Sequence, residues 1–229
     1  MIRAGPAARA GAFFDVDGTL VPGTSCDREL VRALRRSKQL PARAVLRAVA
    51  YSLGAIRWGP SAMWGVRGYL AGMVVAEFEA VCHAVARERI LPRVAPHGLE
   101  RIAHHRAGGD VIVLMTGAPV ELAEPLGAAL RADVVVGGRL DRRGPILTGW
   151  MLEPTPRGHE KVRHVRNIAR RHGVDLEASW AYANTLDDVP HMALTGHPIA
   201  VNPGPLLIRA VPRLGWPVEY WPGPGSGHR

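Results

Sequence analysis

Gly11-Ala12-Phe13-Phe14-Asp15-Val16-Asp17-Gly18-Thr19-Leu20 is the stretch from which the rest of the chain is read. The apolar run Gly11–Val16 reads as a buried strand. Two carboxylates spaced i, i+2 stand where it ends, and Gly18 permits the chain to curl there. Asp15 and Asp17 can then reach one reaction centre. Ligands of an open α/β sheet bind at this carboxyl edge. The pair suits a nucleophile and metal ligand, Asp15, beside a general acid/base, Asp17.

Residues 1–10 read as a loose tail, and Val21–Ser25 as a loop. No strand signal appears between Ser25 and His97. Val45, Val49, Leu53 and Ile56 share one helical face, with Arg43, Arg47 and Arg57 elsewhere. Gly59-Pro60 breaks that pattern, a further helix is expected to follow it, and another is expected from Val75 to about Arg89. From His97 onward helices and strands alternate. Strands are expected at Asp110–Met115, Asp133–Val136, Trp180–Ala183 and Pro198–Val201, with a hairpin at Arg139–Trp150. Helices are expected near Leu99–Arg106, Val120–Arg131, Gly158–Arg171 and Asp187–Leu194. The fold class is therefore α/β, a doubly wound parallel sheet. Residues 1–24 and 97–229 make its core domain and residues 25–96 an all-helical insertion. The Pro/Gly-rich end, Trp221–Arg229, reads as a disordered or surface tail.

The chain has 229 residues, 47% of them apolar and 21% charged, which excludes a mostly disordered or collagen-like polymer. No uncharged run reaches the length of a membrane span. Cys26 and Cys82 match no disulfide framework or zinc spacing, so a reducing, cytoplasmic setting is the expectation. The net charge of +9 comes almost wholly from scattered arginines; Lys38 and Lys161 are the only lysines. Without clustering, nucleic-acid binding is not expected. The ten histidines show no zinc-type spacing and read as surface or packing residues.

Asp15-Val16-Asp17-Gly18-Thr19 resembles the first motif of the haloacid dehalogenase superfamily, and the resemblance runs from Phe13 to Val218. In that superfamily Asp-x-Asp-Gly-Thr marks phosphatases that work through an aspartyl phosphate. The resemblance implies a Rossmann-like core, and it makes the helical insertion a cap like that of the phosphoserine phosphatase branch. Thr116 and Gly117, ending Val113-Leu114-Met115-Thr116-Gly117, match the second motif, whose hydroxyl and backbone N–H groups hold phosphate oxygens. Lys161 in Gly158-His159-Glu160-Lys161-Val162 matches the third. A compact ammonium suits a tight site beside two anions better than a planar guanidinium does.

The fourth motif departs from the pattern. The family has Gly-Asp-Ser-x-x-Asp; this chain has Ala183-Asn184-Thr185-Leu186-Asp187-Asp188. Asn184 stands where an acid normally binds Mg²⁺. An amide oxygen still ligates a hard cation, with less charge. Asp188 occupies the second acidic position, which supports the metal from outside its coordination sphere. The implied metal set is Asp15, Asp17, Asn184 and Asp188. Asp187 reads first as a helix N-terminal charge, and otherwise as a compensating carboxylate.

The resemblance thus implies a Mg²⁺-dependent phosphomonoester hydrolase acting on a small phosphorylated metabolite. Phosphoserine is disfavoured as substrate, because no acid follows the first motif before Asp27. The alternatives are a catalytically weakened binding or scaffold protein, and a phosphotransferase or mutase using the same groups.

Overall fold

The computed structural model describes residues 9–40, 46, 48–51, 66–153 and 155–225. Six strands form one parallel sheet in the order β3-β2-β1-β6-β7-β8. These are β1 (Arg9–Asp15), β2 (Val111–Pro119), β3 (Val134–Gly138), β6 (Val174–Ala183), β7 (His197–Val201) and β8 (Val218–Glu219). A separate antiparallel hairpin joins β4 (Leu140–Arg143) to β5 (Ile146–Met151). Helices α1 (Cys26–Arg36), α2 (Val75–Val85), α3 (Pro96–Ala107), α4 (Val120–Leu130), α5 (His159–His172), α6 (Val189–Met192) and α7 (Pro205–Leu214) complete the described elements.

Both faces of the central strands are covered, which is why β1 and β2 are apolar throughout instead of alternating. Successive side chains point to opposite faces. Phe13 therefore packs with Val113, Met115, Val165, Ile168 and Met192. Phe14 packs with Ile112, Leu114, Leu122 and Tyr182 on the other side. That second cluster runs on into the insertion through Leu30, Leu34, Phe78 and Ile90.

Among the described residues of 26–93 the elements are helical. They comprise α1, a 3-10 turn at Gly68–Leu70, α2, a π turn at Ala86–Ile90 and a 3-10 turn at Leu91–Arg93. Strand character is limited to isolated bridges from Val66 to Trp150 and from Val74 to Ile146. Backbone hydrogen bonds bind this segment to the hairpin. The N–H groups of Arg67, Gly72 and Val75 donate to the carbonyls of Gly149, Leu147 and Pro145 at 2.8, 2.9 and 2.8 Å, and Leu147 N–H donates to Met73 O at 2.9 Å. Gly149, at φ +87°, has no room for a side chain; a Cβ there would lie 2.9 Å from Ala71 Cβ.

Several sequence expectations need correction. Arg9 and Ala10 belong to β1, pairing with Val174 and Asp175, so the expected tail is strand from Arg9 onward. The same pairing makes β6 begin at Val174, six residues ahead of Trp180. Helix α7 and strand β8 were not legible. Pro205 sits at the start of α7 and Pro212 inside it, which masks the helical signal. The expected tail is also wrong at Trp221, which is fully buried against Tyr182 with ring centroids 5.4 Å apart. Trp221 N–H donates to Asn202 Oδ1 and its indole N–H to Glu219 Oε2, each at 2.8 Å. Of the apolar stripe read in the insertion, Val45, Leu53 and Ile56 lie outside the described residues, and Val49 is 53% exposed. No helix among the described residues is long and apolar enough to cross a membrane.

Candidate active site

The carboxyl ends of β1, β2 and β6 meet the start of α5, and the named residues of all four motifs meet there. After Asp15 the chain turns tightly. Gly18 adopts φ +85°, and its N–H donates to Val21 O at 3.0 Å while Val21 N–H donates to Val16 O at 2.9 Å. This loop keeps both aspartates of the motif at the cavity.

Lys161 projects from the first turn of α5 and is 3% exposed. Its Nζ donates to Asp15 Oδ1 at 2.6 Å and to Asp188 Oδ1 at 2.7 Å. The remaining carboxylate oxygens are held as well. Thr19 Oγ1 donates to Asp15 Oδ2 at 2.9 Å, and Thr185 Oγ1 donates to Asp188 Oδ2 at 2.6 Å. Two buried carboxylates thus share one ammonium. Burial pushes the Asp15 carboxyl above its usual range, opposed by Lys161 and reinforced by Asp188 and Asp17. Burial acts the same way on Asp188, but there Lys161 and His191 prevail and hold the carboxyl below that range. Burial would lower the Lys161 ammonium, yet the paired carboxylates raise it further still.

Asp17 is anchored differently. Its Oδ1 accepts the N–H of Cys26, the first residue of α1, at 2.6 Å. A carboxylate is favoured at the positive end of a helix. Its Oδ2 accepts from Thr116 Oγ1 at 2.9 Å, and Thr116 Oγ1 in turn accepts from Ala118 N–H at 3.1 Å. Thr116 ties the second motif to the first.

Asn184 sits beyond the end of β6, its carbonyl accepting from Gly204 N–H at 2.9 Å. Its side-chain oxygen is buried and makes no hydrogen bond. Buried polar atoms are normally paired, so this oxygen in the cavity lining stands out. Asp187 is exposed at the rim of the same cavity.

The cavity holds about 270 Å³. Its walls include residues that sequence reasoning did not single out. Arg67 enters from the insertion: its Nη2 donates to Asp27 Oδ2 at 2.8 Å and to Gly117 O at 3.3 Å. Thr155 and Arg157 enter from the segment before α5. No spacing marks Arg67 or Arg157 in the sequence; the fold alone delivers them. Thr185 was in view within the fourth motif, and its bond to Asp188 supplies its role. The buried histidines are packing residues, as expected. His105 lies 2.7 Å from Asp110 Oδ2 and 2.8 Å from the Tyr182 hydroxyl, and His191 is enclosed near Asp188.

The chain is 30% identical over 217 residues to the inhibition of morphological differentiation protein of Streptomyces azureus, covering 92% of this chain and 78% of that one. It is 31% identical over 218 residues to the phosphoserine phosphatase SerB1 of Mycobacterium tuberculosis, covering 92% and 70%. Among solved structures, a Bordetella pertussis protein of unknown function superposes with a TM-score of 0.76 at 24% identity, covering 93% of this chain and 98% of that one. A phosphoserine phosphatase solved as a phospho-aspartyl intermediate analogue superposes with a TM-score of 0.61 at 19% identity, covering 88% and 90%. These two structural likenesses show a shared fold. Residues 12–193 match the family model of the haloacid dehalogenase-like hydrolases, and with four motif segments converging on one sheet edge this chain belongs to that family.

Proposed function

We propose that the protein is a phosphatase that hydrolyses the monoester of a small phosphorylated metabolite through a phosphorylated Asp15. The observation that carries this reading is the Lys161 ammonium, bonded at once to Asp15 and Asp188 within reach of the Asp17 loop. Asp15 is the nucleophile. A carboxylate oxygen of Asp15 forms a bond to phosphorus as the phosphorus–oxygen bond of the ester breaks. Asp17, entering as the acid, gives its proton to the departing alcohol. In the second half Asp17 takes a proton from water, whose oxygen bonds to phosphorus. The acyl–phosphate bond breaks, releasing inorganic phosphate and the Asp15 carboxylate.

Thr116, the Gly117 backbone and Lys161 hold the phosphoryl oxygens, so the work is positioning and charge neutralisation. The donor set fits Mg²⁺: Asp15, the Asp17 backbone carbonyl and the unpaired Asn184 oxygen are hard oxygen ligands. Asp188 accepts from Lys161 and Thr185, and it supports the set by orienting Lys161. Bound there, Mg²⁺ supplies positive charge that offsets the phosphoryl oxygens. Residues 25–96 are the cap. Arg67 and the Cys26 N–H reach the site from it, which supports closure over the edge to exclude water.

Asn184 favours one rival, a binding protein that has lost turnover. A screen of phosphorylated metabolites at varied Mg²⁺ separates the two. Wild type turns over at least one of them, and Asp15→Asn abolishes that turnover while its unfolding midpoint stays close to wild type. Near-normal activity in Asp15→Asn would overturn the covalent mechanism, and metal binding without any turnover would favour the rival.

A further inference from the structure

The net charge is concentrated in one part of the chain. Residues 30–76 hold eight of the 29 lysines and arginines and none of the 20 acids, so the rest of the protein is balanced to within one charge. Of these cations, Arg32 is bonded to Glu29 at 2.6 Å and Arg67 to Asp27 at 2.8 Å. Arg35, Arg36 and Lys38, at the end of α1 and just past it, are exposed, and their side chains make no hydrogen bond or ion pair among the described residues. The flanking acids offset little of this charge. Glu153 is met by Arg139 and Arg163 at 3.9 and 3.8 Å, Asp141 accepts from Thr148 at 2.9 Å, and Glu77 and Glu79 stand near the start of α2.

Apolar side chains stand in water on the same segment. Leu46 and residues 48–51 are helical, and Leu46 and Val49, one turn apart on one face, are 72% and 53% exposed. Tyr51 fixes this turn on the hairpin: its hydroxyl donates to Thr148 O at 3.0 Å, and its ring centroid lies 5.2 Å from that of Trp150. Trp150 is itself 40% exposed. Leu152, whose N–H continues the ladder by donating to Arg139 O at 2.7 Å, is 57% exposed. Exposed apolar groups gathered in one place, where cations outnumber acids, mark an interaction surface.

Charge and apolar surface together decide what covers it. A second copy seated face to face would set this basic stretch against itself. A nucleic acid answers the cations but offers Leu46 and Val49 no apolar counterpart along its phosphates. The boundary of an anionic bilayer answers both, with phosphates for the cations and acyl chains for the aliphatic groups. We propose that this face of the insertion and its hairpin is a peripheral docking surface for an anionic lipid bilayer. Arg35, Arg36 and Lys38 meet the lipid phosphates, while Leu46, Val49 and Trp150 enter the acyl boundary.

Flotation of the full chain with vesicles is the test. Phosphatidylcholine vesicles containing about 30% phosphatidylglycerol should carry most of the protein at about 0.1 M salt, and phosphatidylcholine alone should carry about fivefold less or lower. Raising the salt to about 0.5 M should release the protein from the anionic vesicles. The double variant Arg35→Gln/Arg36→Gln should bind them about tenfold more weakly. Leu46→Ser/Val49→Ser should lose a similar factor with an unfolding midpoint close to wild type, because both side chains are exposed. Failure to float with anionic vesicles, equal binding to both vesicle types, or full binding by either double variant overturns the proposal. Retention of a double-stranded oligonucleotide without vesicle binding also overturns it and assigns the face to nucleic acid. A dimer seen by light scattering that Leu46→Ser/Val49→Ser dissolves, again without vesicle binding, overturns it in favour of a second copy.

Discussion

The side-chain amide of Asn184 rests against the backbone of Gly18, so closely that a Cβ on Gly18 would come within 2.1 Å of Asn184 Nδ2. The two residues lie 166 positions apart in sequence and shape each other's conformation. Gly18 also needs φ +85°, a region that L side chains avoid. Gly18→Ala therefore meets backbone strain and a clash together. We expect it to cost about 2–4 kcal/mol in chemical denaturation and to displace Asn184. A loss under about 0.5 kcal/mol would mean that the loop relaxes freely.

Asn184→Asp adds one negative charge beside Asp15 and Asp17. At ~4 Å and an effective dielectric of ~20, one charge pair is worth roughly 4 kcal/mol before desolvation offsets most of it. The variant should bind Mg²⁺ more tightly by calorimetry and turn over faster at limiting Mg²⁺. Equal affinity in both forms would show that another carboxylate already serves the site.

His105 gives the fold a pH dependence. Burial lowers its pKa below the usual 6.5, against the opposing pull of Asp110. The unfolded chain therefore binds this proton more readily than the folded one. His105 contributes stability that is fully present above about pH 6.5 and is lost as pH falls toward the depressed folded value. The thermal midpoint should drop between pH 7 and pH 5, and the drop should shrink in His105→Gln. An unchanged slope would assign the acid sensitivity to other groups.

Trp221 closes the core where composition suggested a tail. Trp221→Ala should cost about 3–5 kcal/mol, because it empties a buried aromatic site and strands Glu219 Oε2. Trp221→Phe should cost less. Denaturant midpoints of the two variants, compared at equal slope, check the order.

How far the chain could be read follows from the range of the forces involved. Phe13 and Phe14 announce a strand buried on both faces, since two adjacent large apolar residues at a strand end need cover on each side. Asp15, Asp17, Lys161, Asn184 and Asp188 could be named because a local pattern marks each near an element end, and Thr116 because Thr-Gly follows an apolar run inside β2. Arg67 and Arg157 carry no such mark. Arg67 is placed by the Gly149 carbonyl, 82 residues away, and by Asp27. Trp221 was misread for the same reason: Pro and Gly around it describe local freedom, whereas its burial depends on Tyr182 and Asn202.

The backbone bonds between residues 67–75 and the β4–β5 hairpin carry a consequence for recombination. Two stretches of chain, separated by helices α2 to α4 and strands β2 and β3, are joined into one module. A graft of residues 25–96 onto another core would leave the N–H groups of Arg67, Gly72 and Val75 without their acceptors. A chimera that keeps these bonds must therefore carry both stretches together.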